Sequence, residues 1–222
     1  MEGALVIFCF RTEDDSVRSL ADEVEQHGGK RPVPFRADVT AADDRKALID
    51  WAVEHGGGLD ILVNNAGTRK DGIALGMKEQ WDTILDVNLT APFRLSQLAV
   101  RQMMRRGYGR LINIGSIASR LGSPGQVNYT ASKAGLEGMS RSMAQEYGRK
   151  GVTVNTVNPG YLETELTAEG ADYARDYVEA YSALGKFPTV DSVANVIAFL
   201  ASEEAWALTG QTINVDAGMV KT

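Results

Sequence analysis

The chain has 222 residues, 44% of them hydrophobic and 23% charged, the balance of a globular protein long enough to bury a substantial core. Its net charge of −6 comes without any block of basic residues, which argues against nucleic acid or an anionic membrane as a main partner. A single cysteine rules out a disulfide framework within the chain, and no apolar stretch reaches the length of a membrane span. The first residues lack the charged region, apolar core and cleavage site of a secretory signal, so a cytoplasmic location is expected. His27 and His55 stand apart, each beside glycines near the end of a helical pattern. They are expected at solvated helix termini, and no metal site is expected.

Residues 4–10, ALVIFCF, form a continuous apolar run with β-branched and aromatic members, the pattern of a strand buried on both faces, with Cys9 an inert buried thiol. Val17, Leu20, Ala21 and Val24 then recur at helical spacing until His27-Gly28-Gly29 stops them. Val33, Phe35 and Ala37 make a short strand ending at Asp38, and a second helix covers about 42–55. LDILVN at 59–64 is another buried strand, followed by Asn65-Ala66-Gly67. A helical region spans about 78–106, with Pro92 marking a kink or junction. RLINIGS at 110–116 is a strand that ends by delivering the Ser116 hydroxyl to the sheet's edge. A long helix covers about 126–149, and VTVNTVN at 152–158 is a strand ending at Pro159-Gly160. A loop with short helices leads to a helix at about 190–200, and QTINVD at 211–216 closes the order as a strand.

Apolar strands alternating with amphipathic helices predict a doubly wound parallel sheet covered on both faces, a three-layer αβα, Rossmann-like fold. There is no linker, repeat or composition shift, so residues 1–222 are expected to form one domain. Ligands in such sheets sit beyond the carboxyl ends of the strands. The polar punctuation falls there: Arg11, Asp38, Asn64–Gly67, Ser116 and Pro159-Gly160.

Tyr129 and Lys133 are four apart, so on a helix they share one face. An ammonium beside a phenol favours the phenolate, and the pairing would tune Tyr129 to trade a proton near neutral pH. Ser116 and Tyr129 would then share one substrate oxygen. The spacing alone also fits an exposed helix that carries Tyr and Lys by chance.

Taken together, ADV at 37–39, NNAG at 64–67, VNL at 87–89, INIGS at 112–116, YTASK at 129–133, NPGYLET at 158–164 and INVDAG at 213–218 resemble the short-chain dehydrogenase/reductase family, nearest to 3-oxoacyl-(acyl carrier protein) reductases and related ketoreductases. The resemblance runs from Ala4 to Met219. It implies that Tyr129 passes a proton to a carbonyl oxygen, Ser116 polarises that oxygen, Lys133 lowers the Tyr129 pKa and binds the nicotinamide ribose, and Asn88 holds a water in a relay to Lys133. The other reading of Asn88 is a helix-interior amide bonding nearby backbone. The resemblance further implies that Asp38 and Val39 flank an adenine and that Asn65, Ala66 and Gly67 line its ribose. Pro159, Gly160 and Leu162 would shape the nicotinamide pocket, and Thr164 would bond pyrophosphate or carboxamide. Arg11, after the first strand, implies NADP rather than NAD, because an arginine there accommodates the 2′-phosphate; the other reading is a surface arginine paired with Glu13 or Asp14. A homodimer or homotetramer built on the helices at 78–106 and 126–149 is also implied, with Gly135 and Gly138 allowing close approach. So is a lid over Glu163–Phe187, to which Tyr161, Tyr173, Tyr177 and Tyr181 belong or in which they simply pack.

One departure stands out. The family's opening strand and its T-G-x-x-x-G-x-G turn do not precede residues 4–10, so about one strand-turn-helix unit, on the order of 25 residues, is missing from this sequence. The turn supplies a helix N-terminus for pyrophosphate, and the strand would sit between 5–10 and 59–64. Their facing edges are therefore expected to be unpaired. The sequence is an incomplete version of a longer chain, or the sheet closes up by pairing 5–10 with 59–64, or another chain fills the gap. The function expected is an NADPH-dependent ketoreductase of a 3-oxoacyl thioester, carrier-bound or free, or of a similar ketone. The alternatives are a cofactor-independent acid/base enzyme and a non-catalytic partner subunit.

Overall fold

A computed structural model of the chain describes residues 3–12, 15–162, 178 and 180–221. Strands and helices alternate: β1 (Ile7–Phe10), α1 (Asp15–Gln26), β2 (Val33–Arg36), α2 (Ala42–Gly56), β3 (Ile61–Asn64), α3 (Glu79–Leu85), α4 (Ala91–Arg106), β4 (Gly109–Ile114), α5 (Ala118–Leu121), α6 (Val127–Tyr147), β5 (Val152–Pro159), α7 (Val190–Ala201) and β6 (Thr212–Val215). Every strand pairing is parallel.

The apolar runs explain the layers. β4 is buried throughout and β5 nearly so, because helices cover them on both sides. Leu111, Val152 and Val154 pack with Ala99, Val100 and Met103 of α4 and with Met143 and Ala144 of α6. Ile112, Ile114 and Val157 pack on the other face with Val193, Leu200 and Ala201 of α7. The α/β, Rossmann-like reading therefore holds.

The strands do not form one sheet, however. Among the described residues β1 pairs with β2 alone, while β3, β4, β5 and β6 form a separate ladder in that order. The edges of β1 and β3 are thus unpaired, and the alternative in which β1 closes onto β3 is not what the chain does. The two sheets share a cluster instead. Ile7, Cys9 and Phe35 from one, and Leu62 from the other, pack around Leu48 and Ile49 of α2 and Leu95 of α4. β1 is correspondingly only half-buried, not buried on both faces as its sequence suggests, and Leu5 and Val6 before it are exposed.

Of the kink or junction expected at Pro92 in the helical region at 78–106, the structure shows a junction. α3 and α4 are joined by a π-helical turn, Asp86–Thr90, and Pro92 lies just beyond that turn. α4 ends at Gly107, whose φ of 69° lets its N–H return to the Met103 and Met104 carbonyls.

Candidate active site

Ser116 stands two residues beyond β4, where the strand turns into α5. Its N–H donates to Asn158 Oδ1 at 3.0 Å, and its Oγ accepts from the Ala118 N–H at 3.1 Å. Asn158 is fully buried near the end of β5, so the neighbouring strand holds the serine from behind. Gly115 makes this approach possible, because a Cβ there would overlap Asn158 Oδ1. Across the gap between β4 and α6, the Ser116 side chain lies near enough to the Tyr129 phenol to pull its pKa down. The structure thus places the two hydroxyl residues that the sequence brought forward in one neighbourhood.

The electrostatics differ from the expectation. Burial is the largest influence on Tyr129 and pushes its phenol up; the Ser116 side chain and the Arg69 guanidinium pull against this, and Asp71 adds to it. The ammonium of Lys133 is not among the influences that lower the phenol. It lies 5.7 Å from the centre of the tyrosine ring and donates to the Ile114 carbonyl at 2.7 Å. Lys133 is itself 5% exposed, and burial pulls it down to about 8. A helical spacing sets adjacency, but here desolvation of both groups decides the direction.

Asn88 is wholly buried in the π-helical turn. Its Oδ1 accepts from the Thr68 N–H at 2.8 Å, and its Nδ2 donates to the Thr68 carbonyl at 2.9 Å and to Ser132 Oγ at 3.3 Å. It clamps the chain beyond β3, which is the backbone-bonding reading of this residue. Asn65, Ala66 and Gly67 are exposed along that clamped segment. A Cβ added at Gly67 would stand 3.5 Å from both Asn88 Oδ1 and Lys133 Nζ. The bare backbone therefore leaves a cradle beside an amide and an ammonium, which fits a sugar hydroxyl.

Gly160 donates to the Val215 carbonyl at 2.9 Å, and a Cβ there would crowd the Asp216 backbone. The Pro159 carbonyl accepts from the Ile117 N–H at 3.1 Å, tying the end of β5 to the Ser116 turn. Leu162 packs on the α7 side of the sheet. Thr164, Tyr173 and Tyr177 lie outside the described residues, as do Glu13 and Asp14. Tyr161 packs against a cluster of Ile117, Val178 and Met219, whereas Tyr181 is exposed.

Arg11 follows β1, and Asp38 and Val39 follow β2. Asp38 Oδ1 accepts from the Thr40 N–H at 2.9 Å and from its hydroxyl at 2.7 Å, and these bonds, with the nearby charges of Arg11 and Arg45, hold the carboxyl below its ordinary range. Val39 packs on the shared α2–α4 cluster. The residues present thus fit the two ends of a dinucleotide. Among the described residues, no glycine-rich turn opening a helix is present for its pyrophosphate.

Several residues of the site were not legible as such. Arg69 and Asp71 form an ion pair at 3.4 Å beside the phenol. A cleft of about 460 Å³ opens along the same segment, lined by Thr68, Arg69, Lys70, Lys78 and Gln80 among others. Asn128 donates to the Lys70 and Gln80 carbonyls and fixes that rim to the start of α6. Beneath the site, Asn64 Nδ2 donates to Asn113 Oδ1 at 2.8 Å, Asn113 Nδ2 to Ser140 Oγ at 2.8 Å, and Ser140 shares a bond with Thr156 at 2.7 Å. Asparagines inside otherwise apolar strand runs were the available signal, because buried amides are retained with partners. Both histidines lie exposed at helix ends, bonded to carbonyls one turn back, as expected.

Known proteins similar to the chain agree with its fold. The family description "Enoyl-(Acyl carrier protein) reductase" matches residues 1–220. Nodulation protein G from a Rhizobium species is 44% identical over 209 residues, covering 94% of this chain and 84% of that protein. The 3-oxoacyl-[acyl-carrier-protein] reductase FabG of Thermotoga maritima is 39% identical over 220 residues, covering 99% of this chain and 89% of that protein. A crystal structure from Agrobacterium tumefaciens, assigned as a gluconate dehydrogenase, superposes with a TM-score of 0.93 at 28% identity, covering 99% of this chain and 87% of the other.

Proposed function

The chain belongs to the short-chain dehydrogenase/reductase family, and from that premise we propose that it is an NADPH-dependent ketoreductase acting on a 3-oxoacyl thioester, free or carrier-bound, or a similar ketone. The observation that carries the reading is the nearness of the Ser116 side chain to the Tyr129 phenol at the carboxyl edge of the sheet, one helical turn from a buried lysine. NADPH, when bound, supplies the hydride. The chain's residues do the rest. As charge develops on the carbonyl oxygen, Ser116 donates a hydrogen bond to it and Tyr129 gives it a proton. A phenol pushed up by burial remains protonated at neutral pH, as a proton donor must. Lys133, near 8, is largely charged at pH 7 and has N–H groups beyond the one held by Ile114 for a ribose hydroxyl at the Gly67 cradle. Asn88 keeps that cradle in place through Thr68, and its amide carbonyl is the proposed anchor of a relay to Lys133.

The remaining contacts follow by position. Arg11, Asp38 and Val39 take the adenosine end, with Arg11 selecting the 2′-phosphate. Asn65, Ala66 and Gly67 line the ribose, and Pro159, Gly160 and Leu162 the nicotinamide. Thr164 completes the set. Association through α4 and α6 as a homodimer or homotetramer is part of the proposal, and light scattering reads it. The reductase among the relatives does not favour the cofactor-independent and non-catalytic alternatives. Calorimetry with NADPH and NADH, followed by absorbance with a 3-oxoacyl thioester, tests the reading. NADPH binding at least tenfold tighter than NADH, with ketone-dependent oxidation, is expected. Absence of binding by the 222-residue chain, or binding without turnover, contradicts it.

A further inference from the structure

Glu137 lies on α6 two turns beyond Tyr129 and one beyond Lys133, so the three share one stripe of the helix. It points inward, with its side chain 6% exposed. A buried carboxylate is costly unless its oxygens are satisfied, and here both are. Oε1 accepts from Asn158 Nδ2 at 3.0 Å and lies 2.6 Å from Ser119 Oγ. Oε2 pairs with Arg120 at 2.7 Å, and Arg141 stands at 3.8 Å. The carboxylate therefore ties together α6, the end of β5 and the Ser116–Arg120 turn.

The tie has a direction. Asn158 faces Glu137 Oε1 and, at 3.2 Å, Asn214 Oδ1, and both are acceptors. Only the amide NH₂ satisfies two acceptors, so Oδ1 must turn the other way, onto the Ser116 N–H. Ser119 reinforces this, because its Oγ also accepts from Asn158 Nδ2 at 3.3 Å. We propose that Glu137 is a positioning residue for Ser116: its carboxylate fixes the orientation of the Asn158 amide, and through it the backbone from which the Ser116 hydroxyl is presented.

The inference rests on the reductase reading for its kinetic arm and on hydrogen exchange for its structural arm. Glu137→Gln keeps the shape but leaves one acceptor oxygen for partners that now use two. In otherwise wild-type protein, kcat for ketone reduction is expected to fall at least tenfold, with NADPH affinity within twofold. In a Ser116→Ala background the same change is expected to alter kcat less than twofold, because the group it positions is gone. The Ser116 amide should exchange at least tenfold faster in Glu137→Gln. If Glu137→Gln does not fold, Arg120→Gln, which loosens the carboxylate from outside, is judged by the same pattern with at least a threefold fall. Equal losses in both backgrounds, or no loss, overturn the inference. Wild-type protein without turnover counts against the reductase reading alone, and unchanged exchange of the Ser116 amide then overturns this one.

Discussion

Lys133 shows how burial, rather than spacing, sets the chemistry of a residue. Its ammonium is held near 8 in the folded chain, below the usual lysine value of about 10.4 in the unfolded one. Between those values the unfolded chain binds more protons, so stability rises with pH across that window and is lost as pH falls through about 8. From pH 7.5 to 9.5, wild type should gain about 2 kcal/mol relative to Lys133→Met, read from urea midpoints. A parallel pH dependence in the two proteins contradicts a depressed lysine. The Tyr129–Ser116 pair was legible from the fragments around it, because each residue closes an element with an unmistakable pattern. The direction of the tyrosine's shift was not, because it depends on how much water the fold removes from the phenol. Glu137 and Asn158 were hidden for a related reason. They are 21 positions apart, and their meeting depends on how α6 lies on β5.

At the scale of the element, the turn after β4 depends on what its glycine lacks. A methyl group at Gly115 meets Asn158 Oδ1 and the Thr156 side chain, both on the adjacent strand. Gly115→Ala should therefore cost about 1–3 kcal/mol, the usual range for overpacking a tight core. It should also lower ketone reduction more than any change in NADPH binding, because the displaced amide is the one that holds Ser116. Chemical denaturation and steady-state kinetics check both, and an unchanged variant contradicts the geometry. Elements with continuous apolar runs, such as β4 and β5, were plain in the sequence. The π-helical turn at Asp86–Thr90 was not, since an extra residue in a helix leaves no mark in composition.

On the scale of the whole molecule, the break between β1 and β3 divides a two-stranded sheet from a four-stranded one. The sequence placed this break correctly, from the strand that residues 4–10 ought to have beside them. It could not tell whether the sheet would close, because that depends on how both sheets pack against Leu48, Ile49 and Leu95, which are distant in the chain. A two-stranded sheet is marginal by itself, whereas β4 and β5 are paired on both edges and buried on both faces. Amides of β1 and β2 should exchange at least a hundredfold faster than those of β4 and β5 in native-state hydrogen exchange. Equal protection would mean that the two sheets open as one unit.

All of these scales meet at the hydroxyl pair. The most direct measurement is NADPH oxidation by wild type and Tyr129→Phe with a 3-oxoacyl thioester, alongside calorimetric NADPH affinity for each. The account predicts turnover by wild type, a loss of at least about a hundredfold in kcat for Tyr129→Phe, the lower end for a removed general acid, and similar cofactor affinity for both. Equal turnover by the two proteins would contradict it.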